Sequence, residues 1–245
     1  MNIQKIKNLL KNDQITDIEI VNEIASTSNY LLENNRNFVE NKLLVALHQT
    51  DSIGQYGKKY YSHEKNGIYF SILLKSNIKQ IKTEQLTMIL AVAFVETFKE
   101  LYDKELKIKW VNDIFLDDKK VAGILVQTTF DDNLQDTVIG IGINLFKPKS
   151  GYEHEIEDIV NYLFDDELVD RELIIASIIN KFYDYYDKPT IVHQLYSKNS
   201  LIYKREVYLN DELVFVNEIY EDGSLQIIKD DQTFMINSGH IKLRR

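Results

Sequence analysis

Residues 83–102, TEQLTMILAVAFVETFKELY, place Leu86, Ile89, Leu90, Ala93, Phe94, Thr97, Phe98 and Leu101 at three-and-four spacing, and the middle turns are apolar nearly all round. A helix with no polar side is deeply buried, so the rest of the chain has to cover it. Thr83 is read as its cap. The neighbouring segments are strand-like: 18–24, 43–48 and 68–75 before it, then 106–110, 120–130 and 137–146 after it. Asp117-Asp118 and Asp131-Asp132-Asn133 supply turn residues between the later three. Residues 3–11 and 170–187 carry helical patterns, Ser26-Thr27-Ser28 reads as an N-cap cluster opening a further helix, and Pro189 begins a break. From residue 201 the character changes to short strands (EVYL, ELVFVNEIY, SLQIIK, TFMIN, HIKLRR) punctuated by Asp222-Gly223 and Ser238-Gly239. Such spacing predicts a small barrel as a separate C-terminal module. The fold class is therefore α+β, divided into residues 1–198 and 199–245.

Composition narrows the chemistry. The chain has 245 residues, enough for one large domain or one plus a small one. It contains no cysteine, which excludes disulfides, thiolate catalysis and Cys-ligated zinc. The formal charge of −9 argues against non-specific nucleic-acid binding. No run reaches the roughly 18 apolar residues of a membrane span, and the first residues lack a signal-peptide core. These features together read as a soluble, cytoplasmic protein. The five histidines are scattered, with no metal-ligand spacing, so no metal site is assigned in the protein itself.

Four segments interrupt the apolar patterns. Ser26-Thr27-Ser28 is a helix cap, or a hydroxyl cluster holding a polar ligand group. The glycine-bearing stretch 49–67 is a long hairpin connection, or a loop whose backbone N–H groups and lysines meet an anion. Lys109-Trp110-Val111-Asn112-Asp113 and Lys119-Lys120-Val121-Ala122-Gly123-Ile124-Leu125 form a hairpin with a solvated edge lysine, or set a cation beside a cleft with room for ligand at Gly123. Asn112 and Asp113 can equally make a turn. Gly140-Ile141-Gly142-Ile143-Asn144 is a bulge, or a strand to which something must come close. Six of the nine glycines, at 54, 57, 67, 123, 140 and 142, fall in or beside these segments.

In this order and spacing the segments resemble the biotin protein ligases, over nearly the full chain. The most specific part is the pair Lys109–Asp113 and Lys119–Leu125, where the family reads Lys-Trp-Pro-Asn-Asp and then Lys-Lys-x-Ala-Gly-Ile-Leu; only Val111 departs. The C-terminal Arg205-Glu206-Val207 and Ser238–Arg244 resemble the family's SH3-like barrel. The resemblance implies a mixed-sheet catalytic domain of the biotin/lipoate ligase type, akin to class II synthetases. It implies a two-step reaction in which ATP and biotin, with Mg²⁺, give biotinyl-5′-AMP. The biotin then passes to a lysine of a biotin carboxyl carrier domain in a carboxylase.

The resemblance also assigns residues. Lys120 takes the central electrostatic role, and Gln55 occupies the position of a catalytic-loop arginine. Ser26, Thr27, Ser28, Gln49, Thr50, Gly54, Gln55, Tyr56, Lys120 and Gly123 fall on the biotin side. Lys58, Tyr60, Asn112, Asp113, Gly142 and Asn144 fall on the nucleotide side. The loop departs from the family's Gly-Arg-Gly-Arg-x-Gly-Arg, since Ile53 and Gln55 replace arginines. Glutamine offers a neutral amide where arginine gives a permanent bidentate charge. Few residues precede the first strand, so operator DNA is not expected as a partner; a homodimer is possible. Two other readings are a lipoate or octanoate transferase and a non-catalytic paralogue that binds biotin or its adenylate.

Overall fold

The computed structural model describes the chain except residues 55–61, 63–65, 76–81, 132–133, 149–150, 152–153, 155, 166–167 and 245. Twelve strands and five α-helices are assigned among the described residues. The first part contains α1 (Ile3–Leu9), β1 (Asp17–Ile24), α2 (Thr27–Glu33), β2 (Lys42–Gln49), β3 (Gly67–Leu74), α3 (Thr83–Tyr102), β4 (Lys107–Lys109), β5 (Asp113–Leu116), β6 (Lys119–Asp131) and β7 (Leu134–Asn144). Then follow α4 (Arg171–Tyr185), α5 (Pro189–Asn199), β8 (Glu206–Leu209), β9 (Glu212–Ile219), β10 (Leu225–Lys229), β11 (Gln232–Ile236) and β12 (Ile241–Leu243).

Seven strands form a mixed sheet in the order β1-β2-β3-β7-β6-β5-β4, with β1 and β2 parallel and the other pairs antiparallel. Strand β3 is buried along its whole length because both sheet faces are covered there. Its Ile68, Phe70, Ile72 and Leu74 join the main core with α3, whereas Leu73 joins Leu31 of α2, Leu44 and Val138 on the other face. Successive strand residues point to opposite faces, so this split follows directly from the alternation. Burying an aromatic such as Phe94 of α3, stacked on Phe98 at 4.7 Å, contributes roughly 2–3 kcal/mol.

The last five strands form an antiparallel sheet ordered β11-β10-β9-β8-β12, which fits an SH3-like module and completes the expected α+β class. Gly223 and Asp222 make the turn between β9 and β10, with Gly223 at φ +88°, a conformation that strains side-chain-bearing residues. The segment leading into this sheet and its β9–β10 turn are each tied to the first part of the chain. Leu201 N–H donates to Ile108 O at 2.8 Å, and Lys82 Nζ pairs with Asp222 at 2.8 Å.

Three local expectations need correction. Thr83 does not cap α3: Lys82 occupies the N-cap without a side-chain bond, and the Thr83 hydroxyl donates to Glu84. Pro189 starts α5 instead of breaking the helical run, because a residue at N1 needs no backbone N–H. Residues 106–146 contain four strands, not three; Asp113 opens the short β5 instead of closing a turn. No helix among the described residues is long and apolar enough to cross a membrane.

Candidate active site

A cleft of about 460 Å³, counting space open to solvent, lies between the start of α2 and the sheet. Its floor is made by glycines. Gly123 of β6 pairs with Gly142 of β7, and Gly140 lies opposite Leu125 one step along the same face. Residues on this face have bulk only where the cleft permits it. A Cβ at Gly140 would run into Ser28 Oγ, so glycine is what lets α2 come down onto the strand.

One end of the cleft is polar and closed. Ser26 Oγ caps α2 by accepting from Asn29 N–H at 3.3 Å. Thr27 N–H donates to Gln49 Oε1 at 2.8 Å, and the Thr27 hydroxyl lies 3.0 Å from the same oxygen. Ser26, Thr27, Ser28 and Gln49 are all buried, so the cap and the hydroxyl cluster are one structure and not alternatives. Buried polar groups without partners are costly, so this end suits a ligand that brings hydrogen-bonding atoms of its own.

The other side carries Lys120. Pairing between β5 and β6 shifts register between Ile114 and Phe115, so Ala122 faces Ile114 but Lys120 faces Phe115. Val121 is the extra residue of a bulge, and both Val121 and Ala122 enter the core. Without the bulge, alternation would place Lys120 with Ala122 and Ile124 on the core side. With it, Lys120 joins Gly123 on the cleft wall. Its ammonium pairs with Asp113 Oδ1 at 2.6 Å. Lys120 also lines a second, larger cleft of about 1530 Å³ toward the C-terminal sheet, shared with Lys109, Asp113, Arg205 and Arg244.

The segment between β4 and β5 is held from three sides. Trp110 Nε1 donates to Gly223 O at 2.9 Å, Tyr196 OH of α5 donates to Val111 O at 3.1 Å, and Asn112 Nδ2 donates to Ile124 O at 2.9 Å. Complete burial, with Asp113 nearby, pushes the Tyr196 phenol far above its ordinary range, so it stays a neutral donor. Asn112 is thereby fixed at the cleft.

Of the residues singled out in the sequence, Ser26, Thr27, Ser28, Gln49, Gly54, Asn112, Lys120, Gly123 and Gly142 line this one cleft. Asp113 lines the larger cleft beside it. Thr50 is exposed, outside the lining, its N–H bonded to Ile24 O at 3.0 Å. Asn144 is also outside the lining, with Nδ2 donating to Asn161 O at 3.2 Å. Gln55, Tyr56, Lys58 and Tyr60 lie outside the described residues. Ser52, Ile53 and Leu125, which the sequence placed in the interrupting segments without a ligand role, also line the cleft, and sequence reasoning passed over Ser71 beneath it. Ser71 had a signal: it is the one small polar side chain within the otherwise aliphatic and aromatic run Ile68–Leu74.

The sequence profile of the Biotin/lipoate A/B protein ligase family matches residues 21–144, half the chain and the stretch that builds this cleft. The chain belongs to that family. Among its relatives, the Bifunctional ligase/repressor BirA of Bacillus subtilis (strain 168) is 34% identical over 164 residues, 66% of this chain and 50% of the relative. Biotin--protein ligase 2 of Arabidopsis thaliana is 25% identical over 161 residues, 62% and 47% of the two chains. The chain thus spans about half the length of these curated relatives. A solved structure of the biotin protein ligase from Aquifex aeolicus in complex with biotin and ATP is similar with a TM-score of 0.75. It is 26% identical, over 94% of this chain and 99% of that one. The family's mixed sheet and C-terminal module are therefore both represented in this fold.

Proposed function

We propose that the protein is an ATP-dependent biotin protein ligase, forming biotinyl-5′-AMP and passing biotin to a lysine of a biotin carboxyl carrier domain. The observation that carries this reading is the cleft itself. A closed end of buried hydroxyls and amide faces Lys120 across a glycine floor. Biotin has matching chemistry: a cyclic urea at one end and a carboxylate at the other. In the first step a carboxylate oxygen attacks the α-phosphorus of ATP and pyrophosphate leaves. Two anions must meet, and the Lys120 ammonium offsets their repulsion. In the second step the acceptor lysine amine attacks the acyl carbon and AMP leaves.

Within this reading Ser26, Thr27, Ser28, Gln49, Thr50, Gly54, Gln55, Tyr56 and Gly123 serve biotin, with Lys120 shared. Lys58, Tyr60, Asn112, Asp113, Gly142 and Asn144 serve the nucleotide, and Gln55 acts with Lys120 in catalysis. Mg²⁺ would arrive with the ATP phosphates, since magnesium is commonly held by substrate phosphates and only one or two carboxylates. Residues 1–198 would be the catalytic domain and 199–245 the accessory module, in a cytoplasmic protein able to form a homodimer.

The polar end favours biotin over lipoate. A dithiolane ring has no hydrogen-bonding group of comparable strength and would leave Gln49 and the hydroxyls facing sulfur. The test is incubation with ATP, Mg²⁺, an acceptor domain and labelled biotin or lipoate. Biotin on the acceptor lysine supports the ligase. Lipoate on the acceptor would make the protein a transferase of the sister activity, and biotin binding without AMP formation would make it a sensor.

A further inference from the structure

Ser71 is fully buried in β3, cross-strand from Gly140 and below the start of α2. Its Oγ lies 2.7 Å from Thr27 Oγ1 and 2.9 Å from Ser28 Oγ. The directions of these bonds follow from proton counting. Thr27 N–H can only donate, so the Gln49 atom 2.8 Å from it is the carbonyl oxygen and not the amide nitrogen. That oxygen can only accept, so the Thr27 hydroxyl, 3.0 Å away, gives it its one proton. Thr27 Oγ1 must then accept from Ser71. Ser71, with its proton committed, must accept from Ser28.

The chain runs one way: Ser28 to Ser71 to Thr27 to Gln49. Its consequence lies at the cleft. Ser28 sends its proton inward and presents lone pairs to the ligand, while Gln49 retains its NH2 as a donor. An acceptor and a donor lining the same cleft match the N–H and C=O of a cyclic urea.

We propose that Ser71 is a positioning residue that sets this polarity, so that the cleft specifies a ring bearing N–H and rejects an isostere with oxygen in its place. The inference rests on the biotin reading above and deepens it. Ser71 touches no substrate; it acts by holding the Ser28 and Thr27 protons in one arrangement.

The test compares wild type with Ser71→Ala for biotin and for its two cyclic-carbamate analogues, each with one ureido N–H replaced by ring oxygen. Binding is measured by calorimetry on the full chain, with thermal melts as a folding control. Wild type should prefer biotin by at least about 100-fold over the carbamate whose oxygen faces Ser28, because two sets of lone pairs would meet. In Ser71→Ala the released Ser28 hydroxyl can turn outward. Biotin affinity should fall about tenfold and the preference should shrink below about tenfold. Ser71→Cys, which fills the same space with a weaker donor, should shrink the preference in the same direction and carries the test if the alanine variant does not fold. A merely structural role would weaken biotin and carbamate by the same factor, and that result, or unchanged binding, overturns the inference. Failure of the wild type to bind biotin overturns the functional reading as well.

Discussion

The Lys120 ammonium sits 2.6 Å from Asp113 Oδ1 across a bulged strand pair, at a point that lines both the small glycine-floored cleft and the larger one beside it. Both side chains are about a quarter exposed, so the pair is held in place yet open to a ligand. An incoming anion meets a lysine whose position is already defined by its neighbour.

Lys120→Ala should therefore abolish adenylation, a loss of at least about 1000-fold in kcat, since Lys120 is the one cation lining this cleft among the described residues. Asp113→Asn should give a smaller loss, about tenfold, because the charge survives and only its positioning goes. ATP–pyrophosphate exchange driven by biotin measures both. Full exchange by the alanine variant would remove Lys120 from this role.

In the proposed reading Gln55 takes the place of a catalytic-loop arginine. Gln55→Arg should restore a permanent charge near the phosphates and speed pyrophosphate exchange about tenfold or tighten adenylate retention correspondingly. Equal rates and retention in variant and wild type would refute the argument from loop charge.

Gly140→Ala puts a methyl group into the space of Ser28 Oγ. Strand backbone and helix start must separate, at about 1–3 kcal/mol of overpacking. Calorimetry should show biotin affinity reduced more than about tenfold, and the Tm should fall; an unaltered Tm and affinity would mean that α2 yields without cost.

Trp110→Phe removes the only donor that an indole supplies, leaving the buried Gly223 carbonyl without that bond. The expected cost is about 1–2 kcal/mol, or several degrees in Tm for a chain of this length. Because the same residue anchors the Asn112 segment, the KM for ATP should rise with it.

Asp222 accepts from Lys82 Nζ, Ser224 Oγ and Ser224 N–H, and these bonds lower its carboxyl from the ordinary 3.8 to about 2. The fold favours the ionised form, so its contribution is complete above pH about 4 and is lost as the pH falls through about 2. Thermal melts of wild type and Asp222→Asn should differ at neutral pH and converge between pH 4 and 2. A constant difference across that range would mean that the carboxylate charge contributes nothing.

Much of the fold is legible in the residues because its signals are local. The 3.6-residue periodicity of 83–102 yields α3 residue for residue, and the five short strands after residue 201 all form. Where reading failed, a local cue had two meanings. Pro189 breaks a helix or begins one, and only the burial of Val192 and Tyr196 against the core decides that α5 exists. Asn112 does sit in the turn between β4 and β5, but Asp113 looks like part of that turn until β5 finds its pairing with β4 and β6.

The site divides in the same way. Taken alone, the order and spacing of Ser26–Ser28, Lys109–Asp113, Lys119–Leu125 and Gly140–Asn144 determine the family and most of the cleft's lining, because short motifs carry their chemistry along the chain. Two things were decided only by the tertiary structure. The bulge at Val121 turns Lys120 from the core side to the cleft, and Ser71 meets Thr27 and Ser28 from 44 and 43 residues away. Both depend on strand register and on the packing of α2. Side-chain direction reverses with each single-residue slip, and a hydroxyl's role as donor or acceptor is set by the partners that packing brings to it.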